Sequence, residues 1–218
     1  MRTFDGVIFD LDGTLANTLE DLADSLNRVL HSEGLPVHDR TAVQHMVGNG
    51  MRRLVTEALP AGWGTDETIA RVLDRFIADY GQHCLVKTRL YDGNVQLLSA
   101  LKADAVKLAV FSNKADGPTQ RIVDALIGAG AFEAIIGAQP GIPLKPDPAG
   151  AVLISTRFGV APSRIVYLGD SRVDMLTATA AGMAPVGVSW GFRSSEELVE
   201  SGARAVLDHP LELLKLQG

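Results

Sequence analysis

The spacing of apolar residues divides the chain into a helical segment and an alternating segment. Residues 7–9 form an uninterrupted apolar run, which predicts a buried strand because a half-exposed strand alternates apolar with polar positions. Between residues 19 and 30, apolar side chains recur three and four positions apart, which is the period of an amphipathic helix. The same spacing predicts further helices near 41–47, 51–59 and 66–80. The segment 17–85 is therefore expected to be entirely helical.

From residue 91 onward, short apolar runs alternate with helical stretches. Such alternation is typical of a parallel sheet covered by helices on both faces, with right-handed crossovers. The predicted strands are 107–111, 134–137, 165–168, 185–188 and 205–207, and a last helix is expected over 210–216. The predicted fold class is thus α/β, a doubly wound parallel sheet with an inserted all-helical cap. Residues 1–16 and 86–218 are expected to form the core, and 17–85 the cap.

Composition narrows the class of protein without identifying an activity. The chain has 218 residues, 46% of them hydrophobic, enough to bury a sizeable core. Its net charge of -6 argues against general nucleic-acid binding, which usually needs a basic surface. Cys84 is the only cysteine, so no internal disulfide can form, and a buried packing role is expected for it. The first apolar run is too short for a signal peptide and no stretch reaches membrane-spanning length, so a cytoplasmic location is expected. The sequence does not predict an oligomeric state.

Two aspartates follow the first predicted strand directly. Side chains alternate along an extended chain, so Asp10 and Asp12 can project to the same side while Leu11 points inward. Two carboxylates that lie close repel each other unless a cation or a shared proton intervenes. Oxygen ligands of this kind suit Mg²⁺. A turn at Asp12-Gly13 is the plainer interpretation of the same residues.

Polar residues also follow two later strands, and a lysine stands just before two closely spaced prolines in another connection. Ser112 and Asn113 follow one strand, Asp170 follows another, and Asp174 comes one helical turn later. Lys145 immediately precedes a proline, whose fixed φ stiffens the backbone there. Taken singly, these residues could be helix caps or solvated charges. Because parallel strands end at the same sheet edge, they are expected to converge there.

These segments, in this order, resemble the four motifs of the haloacid dehalogenase-like hydrolases. The first motif is the string from Phe9 to Leu15, and the helical insert is similar to that superfamily's cap of the first type. Within the superfamily the chain is most similar to the phosphoglycolate phosphatase-like branch. That closer likeness rests on Asn113-Lys114, on residues 47–50 and on residues 190–192.

The resemblance implies a role for each of the matching residues. Asp10 would be the nucleophile that forms an aspartyl-phosphate, and Asp12 would be general acid and then general base. Lys145 would neutralise the phosphoryl charge and orient the nucleophile. Thr14, Ser112 and Asn113 are expected to bind the substrate around its phosphoryl group. Mg²⁺ would be held by Asp10, by the backbone carbonyl of Asp12 and by Asp170, with Asp174 beside it.

The implied activity is Mg²⁺-dependent hydrolysis of a small phosphate monoester, with 2-phosphoglycolate or a similar organic phosphate as the expected substrate. The physical argument agrees, because a dianionic phosphate can approach a carboxylate only with cations between them. A substrate carboxylate would favour a cationic cap group, and Arg52, with Arg53 beside it, is the candidate. The plainer interpretation is that both arginines are solvated helix residues.

Other activities use the same core. A phosphomutase of the β-phosphoglucomutase kind usually has valine where Thr14 stands and a histidine early in the cap, whereas the first histidine here is His31. A phosphonatase needs a cap lysine, and residues 17–85 contain none. Pyrophosphate and nucleotide monophosphates remain open as substrates. A phosphate-accepting signalling domain is the non-enzyme alternative, although it would need neither a cap nor Asp12.

One departure from the family pattern lies where the chain enters the cap. Asn17 and Thr18 stand where similar proteins often carry an acidic residue and a serine. Either residue could cap the first helix, as Asp66 could cap the fourth. We expect the departure to affect cap contacts and substrate choice while leaving the chemistry unchanged.

Overall fold

All strands of the main sheet run parallel, and the strand nearest the N-terminus lies near its centre. A computed structural model describes residues 4–216 of the chain. In this part of the chain the sheet has six strands: β1 (Gly6–Phe9), β4 (Lys107–Ala115), β5 (Ala134–Ala138), β6 (Ile165–Gly169), β7 (Ala184–Val188) and β8 (Ala205–Leu207). Their order across the sheet is β5-β4-β1-β6-β7-β8. Gly6 pairs with Lys107 on one side and with Ile165 on the other.

Helices cover both faces of this sheet, as a doubly wound fold requires. They are α5 (Asn94–Ala103), α6 (Asp116–Leu126), α7 (Ala149–Phe158), α8 (Arg172–Ala180) and α9 (Ser195–Glu200). On one face, Ile8 and Tyr167 pack in a cluster with Ile154 of α7 and Ala178 of α8. On the other face, Phe9 lies in a larger cluster that continues into the inserted helices. The strands carry apolar residues on both sides because both sides are buried.

Four helices form the inserted cap: α1 (Leu19–Ser32), α2 (Arg40–Met46), α3 (Met51–Ala58) and α4 (Asp66–His83). The chain enters and leaves them through a two-stranded antiparallel sheet of β2 (Ala16–Asn17) and β3 (Arg89–Leu90). The apolar stripe predicted for the fourth helix is buried at Ile69, Val72, Phe76 and Tyr80, whereas Ile77, which was expected on the same face, is exposed. A core with a helical cap is thus confirmed, while the boundaries at 16/17 and 85/86 stay predictions.

Several local expectations need correction. β4 continues to Ala115 instead of stopping at residue 111, so Ser112 and Asn113 lie inside a strand. The last helix, predicted over 210–216, is a 3-10 helix that spans Pro210–Lys215. Thr65 caps α4 by accepting a hydrogen bond from Thr68, because its backbone is extended there, whereas Asp66 is already helical.

Cys84 is fully buried, as expected for a packing residue. Within residues 4–216, no helix combines the length and the apolar character needed to cross a lipid bilayer.

Candidate active site

The carboxyl ends of β1, β4 and β6 meet the cap at a cavity. This edge of a parallel sheet is where open α/β folds bind ligands. The core lines the cavity with Asp10, Asp12, Ser112, Asn113, Lys114, Asp170, Ser171, Phe192 and Arg193. The cap lines it with Leu22, Val47, Gly48, Gly50, Met51 and Leu54. The reactive groups therefore come from the core, and the cap contributes a mainly apolar wall.

Lys145 connects two of the acidic residues at the sheet edge. Its ammonium lies 3.0 Å from Oδ1 of Asp10 and 2.6 Å from Oδ1 of Asp174. The side chain is almost completely buried. Asn113 fixes the lysine backbone, because its Oδ1 accepts from Lys145 N at 2.8 Å and its Nδ2 donates to Lys145 O at 3.0 Å. Asn113 Nδ2 also donates to the carbonyl of Gly48 in the cap. The amide of Asn113 thus holds protein backbone, while its contact with substrate stays a prediction.

Burial and neighbouring carboxylates raise the pKa values of two acids of the site. Burial raises the pKa of Asp10 to about 7, with Asp174 and Asp12 adding to the rise although Lys145 opposes it. Burial, then Asp174 and Asp10, raise the pKa of Asp170 well above its usual range. The Asp10 carboxylate is also held in place by the N–H of Leu11, which donates to Oδ1 at 2.7 Å. A cation or a shared proton near these acids would offset this electrostatic cost.

Asp10, Asp170 and Asp174 fit a metal ion. Each offers a carboxylate oxygen, and the three oxygens lie within 4.8 Å of one another. Oxygen donors in this number suit Mg²⁺, which keeps several ligand positions for water and phosphate. Both carboxylate oxygens of Asp174 already have protein partners: Oδ1 binds Lys145, and Oδ2 accepts hydrogen bonds from the N–H and hydroxyl of Ser171. The side chain of Asp12 lies outside this group.

Two glycines make room for the Asp170 carboxylate. A Cβ on Gly13, whose φ is +80°, would lie 2.0 Å from Asp170 Oδ2. A Cβ on Gly191 would lie 2.2 Å from Asp170 Cβ. Thr14, expected to bind substrate, is instead fully buried with its hydroxyl 3.5 Å from Asp170 Oδ1. Its carbonyl accepts from Trp190 Nε1 at 3.1 Å, so Thr14 supports the acid rather than lining the cavity.

Asp12 is bound by a lysine to which the sequence analysis gave no role. Lys114 Nζ lies 2.9 and 3.0 Å from the two carboxylate oxygens of Asp12. Thr18 donates to Asp12 Oδ1 at 2.6 Å, so its hydroxyl does not cap α1. The residue at position 18 therefore contacts Asp12, one of the predicted catalytic residues. Lys114 could have been found from its position two residues after Ser112, the same relation that joins Asp10 to Asp12.

The structure does not bring Arg52 to the cavity. Its guanidinium forms an ion pair with Asp66 at 2.6 Å, and 57% of its side chain is exposed. Arg53 pairs with Glu57 on the same outer surface. Both arginines lie on the part of α3 that faces solvent, while Met51 and Leu54 face the cavity.

A loop after β7 joins the core to the cap, and the sequence analysis missed its arginine. Arg193 donates to the carbonyls of Gln44 at 2.8 Å, His45 at 3.0 Å and Val47 at 2.7 Å, at the end of α2. Gln44 Nε2 donates in return to the carbonyl of Phe192 at 2.8 Å. The N–H of Phe192 donates to Asp170 Oδ2 at 2.7 Å. In the sequence, residues 190–192 carry only a family likeness, because a single sequence does not indicate which carbonyls the next residue, Arg193, will reach.

Comparison with known proteins adds to this geometry. A family model described as Haloacid dehalogenase-like hydrolase matches residues 7–188. Phosphoglycolate phosphatase from Rhodospirillum rubrum is 38% identical over 208 residues, covering 93% of this chain and 86% of that protein. Phosphoglycolate phosphatase 1 from Pseudomonas aeruginosa is 34% identical over 214 residues, covering 95% and 78%. The crystal structure of a predicted phosphoglycolate phosphatase from Haemophilus somnus 129pt has a TM-score of 0.91 at 32% identity, covering 99% of this chain and 98% of that one.

Proposed function

We propose a mechanism on the premise that the chain belongs to the haloacid dehalogenase-like hydrolase family and is a phosphatase. The proposed reaction is hydrolysis of a small phosphate monoester through a phosphate ester formed on Asp10. The observation that carries the proposal is the pairing of Lys145 with Asp10 at 3.0 Å in a buried cavity. A carboxylate with a buried ammonium beside it can receive a phosphoryl group, because the ammonium offsets the charge of both.

In the first step, an Asp10 oxygen attacks phosphorus and the bond from phosphorus to the ester oxygen breaks. The departing oxygen takes a proton from Asp12, so an alcohol leaves and an aspartyl-phosphate remains. The Leu11 N–H and Lys145 fix the plane of the attacking carboxylate through Oδ1. Ser112, which lines the cavity, would donate its hydroxyl to a phosphoryl oxygen. Splitting hydrolysis into two displacements in this way lowers each barrier.

In the second step, water replaces Asp10 on phosphorus. Asp12, now a carboxylate, takes a proton from the water, whose oxygen attacks phosphorus as the bond to Asp10 breaks. Inorganic phosphate leaves and the Asp10 carboxylate is restored. Thr18, which donates to Asp12 Oδ1, keeps this carboxyl group oriented in both steps.

Mg²⁺ is the proposed cofactor, held by Asp10 and Asp170 with Asp174 beside them and with the carbonyl of Asp12 as a further ligand. When bound, it would supply positive charge that stabilises the phosphoryl oxygens during transfer. Asp174 contributes mainly by holding Lys145 at 2.6 Å. The three-carboxylate arrangement supports this assignment.

The proposed substrate is 2-phosphoglycolate or a close analogue. The names of the relatives support this choice, since two phosphoglycolate phosphatases align with nearly the whole chain. The proposed partner is thus a small phosphorylated metabolite. The mainly apolar cap wall, with glycines at 48 and 50, leaves space for a compact organic group.

The test is phosphate release from 2-phosphoglycolate with and without Mg²⁺. We expect activity that needs the metal and is lost in Asp10→Asn, because an amide cannot form the phosphate ester. Circular dichroism should show that the variant is folded. Arg53→Ala, on the outer surface of the cap, is the control and should remain active. Phosphate release by Asp10→Asn near the wild-type rate would mean that another group is the nucleophile.

A further inference from the structure

We propose that Lys114 selects substrates that carry a second anionic group, and that its ammonium moves from Asp12 to that group when substrate binds. This role rests on the proposed phosphatase function and deepens it. Lys114 lines the cavity, and only 1% of its side chain is exposed. Its ammonium binds both oxygens of Asp12 and lies 4.5 Å from the centre of the Tyr80 ring in the cap. It is thus a buried cation at the boundary between core and cap.

The other cations near the cavity are already committed. Lys145 is held between Asp10 and Asp174 and would be needed for the phosphoryl group. Both terminal nitrogens of Arg193 donate to backbone carbonyls of the cap. Among the described residues that line the cavity, Lys114 and Arg193 are the only cationic ones. Lys114 is therefore the cation that a substrate carboxylate can reach without breaking the contact between core and cap.

Movement of Lys114 would also help the chemistry. As the structure stands, both oxygens of Asp12 face the Lys114 ammonium. The leaving oxygen of a substrate has to approach one of these Asp12 oxygens closely for a proton to pass between them. A shift of the ammonium away from Asp12 would open that approach. Thr18 would keep Asp12 in place during the exchange, because it donates to Oδ1 independently of the lysine.

The exchange is favourable only when the substrate brings its own anion. A buried ammonium that loses its carboxylate without replacement would be left unpaired, which is strongly unfavourable. A substrate carboxylate supplies an equivalent partner, so the lysine exchanges one ion pair for another. The Tyr80 ring can stabilise the ammonium on its way, since its face attracts cations. A neutral substituent offers no such replacement, and the lysine then stays with Asp12.

The experiment compares 2-phosphoglycolate with 2-hydroxyethyl phosphate, in which a neutral hydroxymethyl group replaces the carboxylate. We expect the wild type to prefer 2-phosphoglycolate in kcat/KM by about 10- to 100-fold, the range for one charged hydrogen bond. Lys114→Met should reduce this preference to within about threefold of unity, and Lys114→Arg should retain part of it because it keeps the charge. Lys107→Met, at the opposite end of the same strand and paired with Glu133, is the matched control and should keep the full preference.

Binding gives a second readout that does not depend on turnover. In the Asp10→Asn background, calorimetry should show 2-phosphoglycolate binding about 10- to 100-fold more weakly when Lys114 is replaced. The affinity for 2-hydroxyethyl phosphate should change much less. If Lys114→Met does not fold, Lys114→Gln serves instead, because its amide can still donate to Asp12 while the charge is gone.

The outcomes separate this inference from the proposed function. Phosphate release from both esters with an unchanged preference in Lys114→Met or Lys114→Gln would overturn the role of Lys114 and leave the phosphatase mechanism standing. A wild type that releases phosphate equally from both esters would do the same. Failure of the wild type to release phosphate from either ester would overturn the proposed function, and the inference would fall with it.

Discussion

Replacing Arg193 should weaken the contact that holds the cap against the core. Its guanidinium lies between the loop after β7 and the end of α2, with only 13% of the side chain exposed. It donates to three carbonyls there, those of Gln44, His45 and Val47. Carbonyls at a helix C-terminus lack partners within the helix and carry partial negative charge, so a cation is favourable at this position.

The size of the effect follows from the number of bonds. Each hydrogen bond contributes about 1 kcal/mol net, because water would bind the same groups if the bond were broken. The three bonds from Arg193 therefore favour the closed arrangement by about 2–4 kcal/mol. A loss of that size shifts the ratio of closed to open molecules by about 30- to 1,000-fold, since each factor of ten corresponds to 1.4 kcal/mol. If substrate binds only the closed arrangement, the apparent affinity for every substrate falls with the closed fraction.

The assay combines hydrogen exchange with kinetics. In Arg193→Ala we expect faster amide exchange at the end of α2 and in residues 47–51, and a kcat/KM at least tenfold lower for 2-phosphoglycolate and 2-hydroxyethyl phosphate alike. Arg193→Lys should lie between, because lysine keeps the charge and loses the planar fork of donors. Arg53→Ala is the matched control, since it removes an exposed cap arginine that pairs with Glu57.

Two results would refute this reasoning. Unchanged exchange at the end of α2 in Arg193→Ala would mean that other contacts hold the cap. A loss of activity toward 2-phosphoglycolate alone would mean that Arg193 binds the substrate carboxylate, in place of the role assigned to Lys114.

Two further predictions concern the acids of the site. Gly191→Ala should destabilise the fold by about 1–3 kcal/mol and weaken Mg²⁺ binding, because the new Cβ would lie 2.2 Å from Asp170 Cβ. Thermal melts and metal titration would test this, with Gly64→Ala as the control because a Cβ there meets open space. Without metal, the free energy of unfolding should fall by a few kcal/mol as pH rises from about 4 to about 7, because the raised pKa of Asp10 lets the native state hold a proton that the unfolded chain releases. Urea titrations of the metal-free protein at several pH values should show this fall, and an equally steep fall in Asp10→Asn would contradict the assignment.

Much of the fold could be predicted because periodicity reports burial. The unbroken apolar run at residues 7–9 indicated a strand buried on both faces, and that strand lies near the centre of the sheet. The three-and-four spacing on the fourth cap helix indicated a face that is buried in the structure. Strand ends were harder to place. Residues 112–115 are polar or small, so their pattern resembles a loop, yet pairing with β5 extends the strand to Ala115.

The same distinction applies to the residues of the site: their meeting at the sheet edge could be predicted from topology, whereas their individual partners could not. Asp10, Lys145 and Asp170 could be expected to meet because each follows or adjoins the end of a parallel strand, a consequence of topology. Which partners their neighbours choose depends on distances across the sheet, which spacing in the sequence does not contain. Arg52 was the expected anion-binding residue because it follows a glycine-rich turn, but a helix presents only some of its positions to a cavity. Met51 and Leu54 occupy those positions, and Arg52 points outward to Asp66.

The loop after β7 connects the acid cluster to the cap through a single residue. The N–H of Phe192 binds Asp170 Oδ2, and the carbonyl of Phe192 accepts from Gln44 in α2. Moving the cap away would therefore pull on the group that orients Asp170. Coupling between two sites is reciprocal in free energy, so whatever fixes Asp170 must favour the closed cap to the same extent that the closed cap favours this orientation of Asp170. It follows that the cap is more than a cover over the cavity, because its position is linked to the arrangement of the carboxylates in the proposed mechanism.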